Sequence, residues 1–129
     1  MMDLEIRVAS ATDLDARVCL AAAFRDHLGQ VRPLDVDFRA AIALLLKDAG
    51  TEFFLACGAR GTALGYVQCR YRYSAWTSAL EAELEDVFVV QEARRRGVAL
   101  RLVEFAIARA TVKGCRSVGL NTNARAVFT

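Results

Sequence analysis

The stretch from Val87 to Leu102 constrains this chain most. Val87-Phe88-Val89-Val90 is a β-branched and aromatic run, the composition of a buried strand. A polar turn follows, with Arg94, Arg95 and Arg96 in succession and then Gly97. Beyond it Ala99, Leu102, Val103, Ala106 and Ala110 recur at the spacing of one helical face, with Arg101, Glu104 and Lys113 off that face. A strand therefore feeds an amphipathic helix through a basic, glycine-containing turn, which places the chain in the α/β class.

Such a turn is built to hold an anion. The first helical turn carries backbone N–H groups without intrahelical partners, and the helix dipole adds partial positive charge there. Gly97 has no Cβ to keep a ligand from the backbone. The three arginines add full charge and forked donors that suit phosphate oxygens. The expected ligand is a phosphate or pyrophosphate. Gly97-Val98-Ala99 lacks the Gly-Lys-Ser/Thr of a Walker loop. A single glycine also falls short of the dinucleotide-binding fingerprint. The plain alternative is a solvated charge run at an ordinary helix start.

A third pattern fits. Arg94-x-x-Gly97-x-Ala99 resembles the R/Q-x-x-G-x-G/A signature of the GNAT superfamily, the acyl-CoA-dependent N-acyltransferases. The approach Val89-Val90-Gln91-Glu92-Ala93-Arg94 resembles that family's V-x-P-E-x-R lead-in, with Gln91 where proline is usual. Ile6 to Leu14 is similar to a common GNAT opening, and Gly65-Tyr66-Val67 to the G-x-[ILV] of its third strand. The resemblance implies a mixed, mostly antiparallel central sheet flanked by helices.

Periodicity along the chain agrees with that order. A short strand at Leu4–Val8 precedes a helix that starts near Ser10–Asp13 and runs to about Leu28. After Pro33, Asp35 or Asp37 caps a second helix with Phe38, Ala41, Ile42, Leu45 and Leu46 on one face. Strands are expected at 52–57, at 62–73 with a possible bulge at Gly65, at 79–90 and at 115–121, with the helix after Gly97 between the last two. The order is β-α-α-β-β-β-α-β, in one GNAT-like domain over residues 1–129. The resemblance implies a further helix and two more strands beyond Thr129. The domain is thus expected to be C-terminally incomplete, with an open sheet edge that a homodimer or strand exchange would cover.

Composition removes other classes. A net charge of +2 is too small for general nucleic-acid binding. Cys19, Cys57, Cys69 and Cys115 form no C-x-x-C pair and, with one histidine, give no metal spacing, so reduced structural thiols are expected. The acidic start has no signal-peptide pattern, and no apolar run approaches the ~18 residues of a membrane span. A cytoplasmic protein without membrane or nucleic-acid partners is expected.

The resemblance also implies a site. Acetyl-CoA would be the co-substrate, with no metal. Its pantetheine arm would enter where the fourth and fifth strands part, pairing with the backbone at Val87, Phe88 and Val89. The pyrophosphate would rest on Arg94, Arg95, Arg96 and Gly97 and on the N–H groups through Val98, Ala99 and Leu100, with Asn123 also at the cofactor. The base would come from the fourth strand, where Glu81, Glu83 and Glu85 alternate with apolar residues and raise one another's pKa. Glu85 is the first candidate and Glu83 the second; a merely solvated strand face is the competing reading. Val87 and Val89 share that parity unless a bulge shifts it. The family's acid is often a tyrosine in a pattern like N-x-x-A-x-x-L-Y; counted from Asn121, Phe128 falls at that spacing, and counted from Asn123 the tyrosine would lie beyond Thr129, and either register implies slow turnover. The acceptor would lie along the first two helices, their loop and the Tyr71–Trp76 connection, and the glutamate row favours a cationic amine. Two other readings remain: a non-catalytic acyl-CoA-binding remnant, and a nucleic-acid module using Arg94–Arg96.

Overall fold

The computed structural model describes residues 3–127, with side chains as far as Leu120. Its elements are β1 (Glu5–Val8), α1 (Leu14–His27), α2 (Asp35–Leu46), β2 (Thr51–Cys57), β3 (Ala63–Ser74), β4 (Ala79–Val89), α3 (Val98–Val112) and β5 (Ser117–Val127). The expected order holds. Ser10 caps a single 3-10 turn, Ala11–Asp13, and α1 begins only at Leu14. Leu34, not an aspartate, is the N-cap of α2, and Asp35 and Asp37 lie inside its first turn, where acidic side chains complement the dipole. None of the described helices is long and apolar enough to cross a membrane.

The five strands form one sheet in the order β1-β2-β3-β4-β5. All neighbours are antiparallel except β4 and β5, which run parallel across the α3 crossover. Period-2 alternation sorts β2 cleanly. Phe54 and Ala56 face α3, while Phe53, Leu55 and Cys57 face α1 and α2. The α3 stripe of Ala99, Leu102, Ala106 and Ala110 is buried as its spacing requires, with Val98 added and Val103 packed at its margin. Burying Leu102, which has no exposed surface, contributes about 1.5–3 kcal/mol.

Two irregularities shape the site. Ala56 pairs with Gly65 and Cys57 with Ala63, so Leu64 is an extra residue in β3 beside the glycine expected to bulge. In β4, Gln68 pairs with Asp86 and Cys69 with Leu84, which leaves Glu85 as an extra residue. The α3 face of β4 therefore reads Ala82, Leu84, Val87, Val89, with its parity reset at Glu85. Asp86 and Phe88 turn instead toward α1 and α2.

Candidate active site

The α3 turn is fastened to the end of β4. Ala93 is buried, and the Arg94 Nε–H donates to the Val89 carbonyl across 2.9 Å, with its guanidinium 5.8 Å from the Phe88 ring centre. Arg95 and Gly97 both take left-handed backbone, with φ of 63° and 77°. Gly97 is the N-cap of α3, and among the described residues no side chain caps the helix. A Cβ at Gly97 would meet nothing of the protein within 4 Å, so what the fold itself asks of this glycine is the positive φ. The first N–H groups of α3 are left without a side-chain acceptor, the arrangement that binds anions.

Beside them is a cavity of about 310 Å³. Val89, Arg94, Arg95 and Gly97 line it, with Val98, Ala99, Leu100 and Val103. Arg96 is exposed and is not part of this lining. Val98 and Ala99 have buried side chains, so the backbone is what they offer a ligand.

Val87, Phe88 and Val89 are buried and adjoin this turn. The expected parting of β4 and β5 is not what the sheet does at this point. Leu84 pairs with Leu120, residues 121–124 then stand opposite Glu85 alone, and pairing resumes with Asp86↔Arg125, Val87↔Ala126 and Phe88↔Val127. The reason is local: β5 carries extra residues where β4 bulges, and rejoins the ladder beyond. Asn123 lies in this strand and its side chain falls outside the described residues, as does the whole of Phe128.

On the other face of β4 is a second cavity, of about 330 Å³, between α1, α2 and the β3–β4 ladder. Its floor carries Tyr66, Gln68 and Asp86. The Tyr66 hydroxyl donates to Asp86 Oδ2 at 3.1 Å, and the Gln68 Nε2 donates to Glu85 Oε2 at 3.0 Å. Tyr66 and Gln68 share one face of β3, so Glu85 and Asp86 both turn to this side at the bulge. Burial pushes the Tyr66 phenol well above its usual range, so its hydroxyl remains a donor.

The glutamate row is not a bare line of carboxylates. Arg70 stands 3.3 Å from Glu85 and Arg72 stands 3.5 Å from Glu83. These cations come from β3, where Arg70 pairs in register with Glu83 and Arg72 with Glu81, so each reaches its carboxylate on the diagonal and offsets the mutual repulsion expected within the row.

Gln68, Asp86 and Arg17 line this cavity and are absent from the sequence-based expectations. Asp86 comes to the floor because of the bulge at Glu85. Arg17 lines the cavity from α1 with 3% of its surface exposed. Its signal is present in the sequence: Arg17 precedes Leu20, Ala21 and Phe24 by three, four and seven residues, so a charge sits in the apolar stripe of α1.

The sequence from 19 to 129 matches the Acetyltransferase (GNAT) family. The chain belongs to the GNAT acetyltransferase family. Solved structures agree in fold. An aminoglycoside N-acetyltransferase in complex with CoA is 25% identical with a TM-score of 0.78, over 95% of this chain and 78% of that one. A probable acetyltransferase is 24% identical with a TM-score of 0.84, over 92% and 78%. The ribosomal-protein-alanine N-acetyltransferase from Brucella melitensis biovar Abortus 2308 is 20% identical with a TM-score of 0.78, over 92% and 79%. Among curated proteins, none is similar enough in sequence to match.

Proposed function

We propose that this protein transfers an acetyl group from acetyl-CoA to a primary amine. The observation that carries this reading is the position of β4 between two cavities. Val89 lines the one at the uncapped start of α3, and Asp86 lines the one beneath α1 and α2. An acyl donor on the first side and an amine on the second would meet at the same strand. GNAT membership supports acyl transfer, and the CoA complex of an aminoglycoside N-acetyltransferase supports the cofactor class.

The residues at the α3 turn fit a pyrophosphate-bearing co-substrate. The N–H groups of Gly97 to Leu100 are the donors, and Arg95 supplies charge at the cavity wall. Bound acetyl-CoA supplies an activated thioester carbonyl. The chain's own work is to hold the amine and take its proton. Glu85 is the first candidate for that proton and Glu83 the second, directly or through water. Gln68 and Arg70 fix the Glu85 carboxylate at the β4 bulge. As the amine nitrogen bonds to the carbonyl carbon, the carbon–sulfur bond breaks, the sulfur leaves as thiolate, and the amine proton passes to the carboxylate.

A second reading, acyl-CoA binding without catalysis, draws on one observation. Residues 125–127 pair with the edge of β4 at Asp86, Val87 and Phe88, where the arm would lie.

The test is a calorimetric titration with acetyl-CoA, with desulfo-coenzyme A and ATP as controls, followed by an amine panel read by free thiol release. Saturable binding of both coenzyme A ligands, much tighter than ATP, together with thiol release, is the expected result. Arg95→Ala should weaken that binding by about tenfold, the loss of one charge-assisted contact. Binding without turnover on any amine would favour the second reading. No binding by folded protein would overturn both.

A further inference from the structure

Two arginines line the cavity beneath α1 and α2, and they differ in what they hold. Arg25 has three acceptors. It donates to Asp26 at 3.0 Å, to the Pro33 carbonyl at 2.9 Å and to Asp35 at 2.6 Å. Arg17 is the more deeply buried of the two, yet its Nε and Nη1 have no hydrogen-bond partner among the described residues. Its guanidinium lies 3.6 Å from the Tyr66 ring centre and 4.5 Å from that of Phe53. These rings cover the faces of the cation by stacking, and the Tyr66 hydroxyl and the Asp86 carboxylate favour its charge, but Nε and Nη1 keep no acceptor.

A buried guanidinium with idle donors is costly, because its N–H groups have lost water and gained no acceptor. The group that satisfies it must enter from the cavity, must accept in the guanidinium plane, and gains most by being an anion. The surroundings restrict that anion further. Phe24, Phe38, Ile42 and Leu45 make most of the wall apolar. Asp86, bonded to the hydroxyl of the same Tyr66 that stacks on Arg17, sets a negative group one tyrosine ring away from the cation. A ligand that fills the open donors of Arg17 and also reaches the carboxylate side of the floor carries an anion and an ammonium on neighbouring atoms, with an apolar body.

We propose that the acceptor is a small amino carboxylate with an apolar side chain, its carboxylate bound by Arg17 and its amine directed to the Asp86–Glu85 bulge of β4. The proposal rests on the acyl-transfer reading for the fate of the amine, but not for the binding of the carboxylate. It replaces the expectation of a simple cationic amine, which rested on a glutamate row that Arg70 and Arg72 in fact accompany.

The test is calorimetry on the full chain with matched pairs. L-leucine is compared with 3-methylbutylamine, and L-phenylalanine with 2-phenylethylamine, each with and without saturating acetyl-CoA. L-leucinamide, which keeps the amine and loses the anion, is the third arm. Each amino acid should bind about tenfold or more tightly than its decarboxylated partner or amide, as expected for a charge-assisted contact. In Arg17→Met the members of each pair should fall within about twofold of one another, with acetyl-CoA affinity unchanged. If Arg17→Met does not fold, Arg17→Lys is used; it keeps the charge, loses the planar fork, and should retain only a reduced preference. Equal binding of amine and acid by the wild-type protein, or no binding of either, overturns the proposal. So does a preference that survives Arg17→Met. Acetyl-CoA binding with no carboxylate preference sinks this assignment alone; a carboxylate preference without acetyl-CoA binding sinks the acyl-transfer reading alone.

Discussion

A methyl group on Gly65 would stand 2.7 Å from the carbonyl oxygen of Phe88. β3 and β4 approach so closely here that only glycine fits, and the Val89 side chain and Cα stand nearly as near, at 3.2 and 3.3 Å. The contact sits where β4 ends and the α3 turn begins, so it sets how the turn meets the sheet. Gly65→Ala should cost about 1–3 kcal/mol, the range for overpacking a well-filled site. Thermal unfolding reads this loss. A variant as stable as the parent would mean that the strands part at no cost.

Arg7 and Asp13 join β1 to the turn before α1 through two bonds of 2.8 Å. The hydrogen bonds from Arg7 hold the Asp13 carboxyl down at about 2, below its usual 3.8, although burial opposes them. The sign follows from linkage. A depressed folded-state pKa stabilises the protein above the unfolded value, and that contribution disappears as pH falls through the folded one. Stability should therefore drop as pH goes from about 4 to about 2. Asp13→Asn should flatten this part of the curve and cost about 1–2 kcal/mol at pH 7. Midpoints measured across that window check both. An unchanged acid slope in the variant would place the titrating group elsewhere.

What the sequence disclosed divides along local and non-local lines. The α3 face was legible because Ala99, Leu102, Ala106 and Ala110 repeat at helical spacing, and the turn because three arginines and Gly97 are contiguous. The glutamate row was legible as alternation, but its partners were not. Arg70 and Arg72 stand opposite Glu83 and Glu81 and reach Glu85 and Glu83 on the diagonal, through a cross-strand register that no single strand encodes. The bulge at Glu85 is also a property of the β3–β4 pair, and it alone brings Asp86 to the cavity. β5 was read as ending near Asn121, because its continuation to Val127 depends on pairing with β4. Arg17 is different. Its place in an apolar stripe was readable, and the rings of Phe53 and Tyr66 that bury it come from two other strands.

Glu85 accepts from Gln68 and faces Arg70, and both contacts survive in outline when the carboxylate becomes an amide. Glu85→Gln should thus preserve the bulge and remove only the capacity to take a proton. On an active amine the rate should fall by about a hundredfold or more, the usual loss of a general base. Acetyl-CoA affinity should stay within about twofold, because that cavity lies at the α3 turn. Steady-state kinetics and calorimetry separate the two effects. If Glu85→Gln is fully active and Glu83→Gln is not, the base role passes to Glu83. If neither variant slows the reaction, the β4 glutamates serve only as partners of Arg70 and Arg72.

Residues 125–127 pair with β4 at Asp86, Val87 and Phe88, along the edge on which the cofactor arm is proposed to lie. Backbone donors and acceptors on one strand edge serve one partner at a time. Arm binding and this end of β5 should therefore exclude each other. Hydrogen exchange at saturating acetyl-CoA tests the competition residue by residue. Amides at 125–127 should exchange about tenfold or more faster once the cofactor binds, as a local opening becomes the favoured state. Amides at 98–100, at the start of α3, should slow in the same sample because the pyrophosphate now accepts from them. Slower exchange at both places would mean that the cofactor binds without displacing β5, and the arm would then have to lie on another edge than that of Val87 and Phe88.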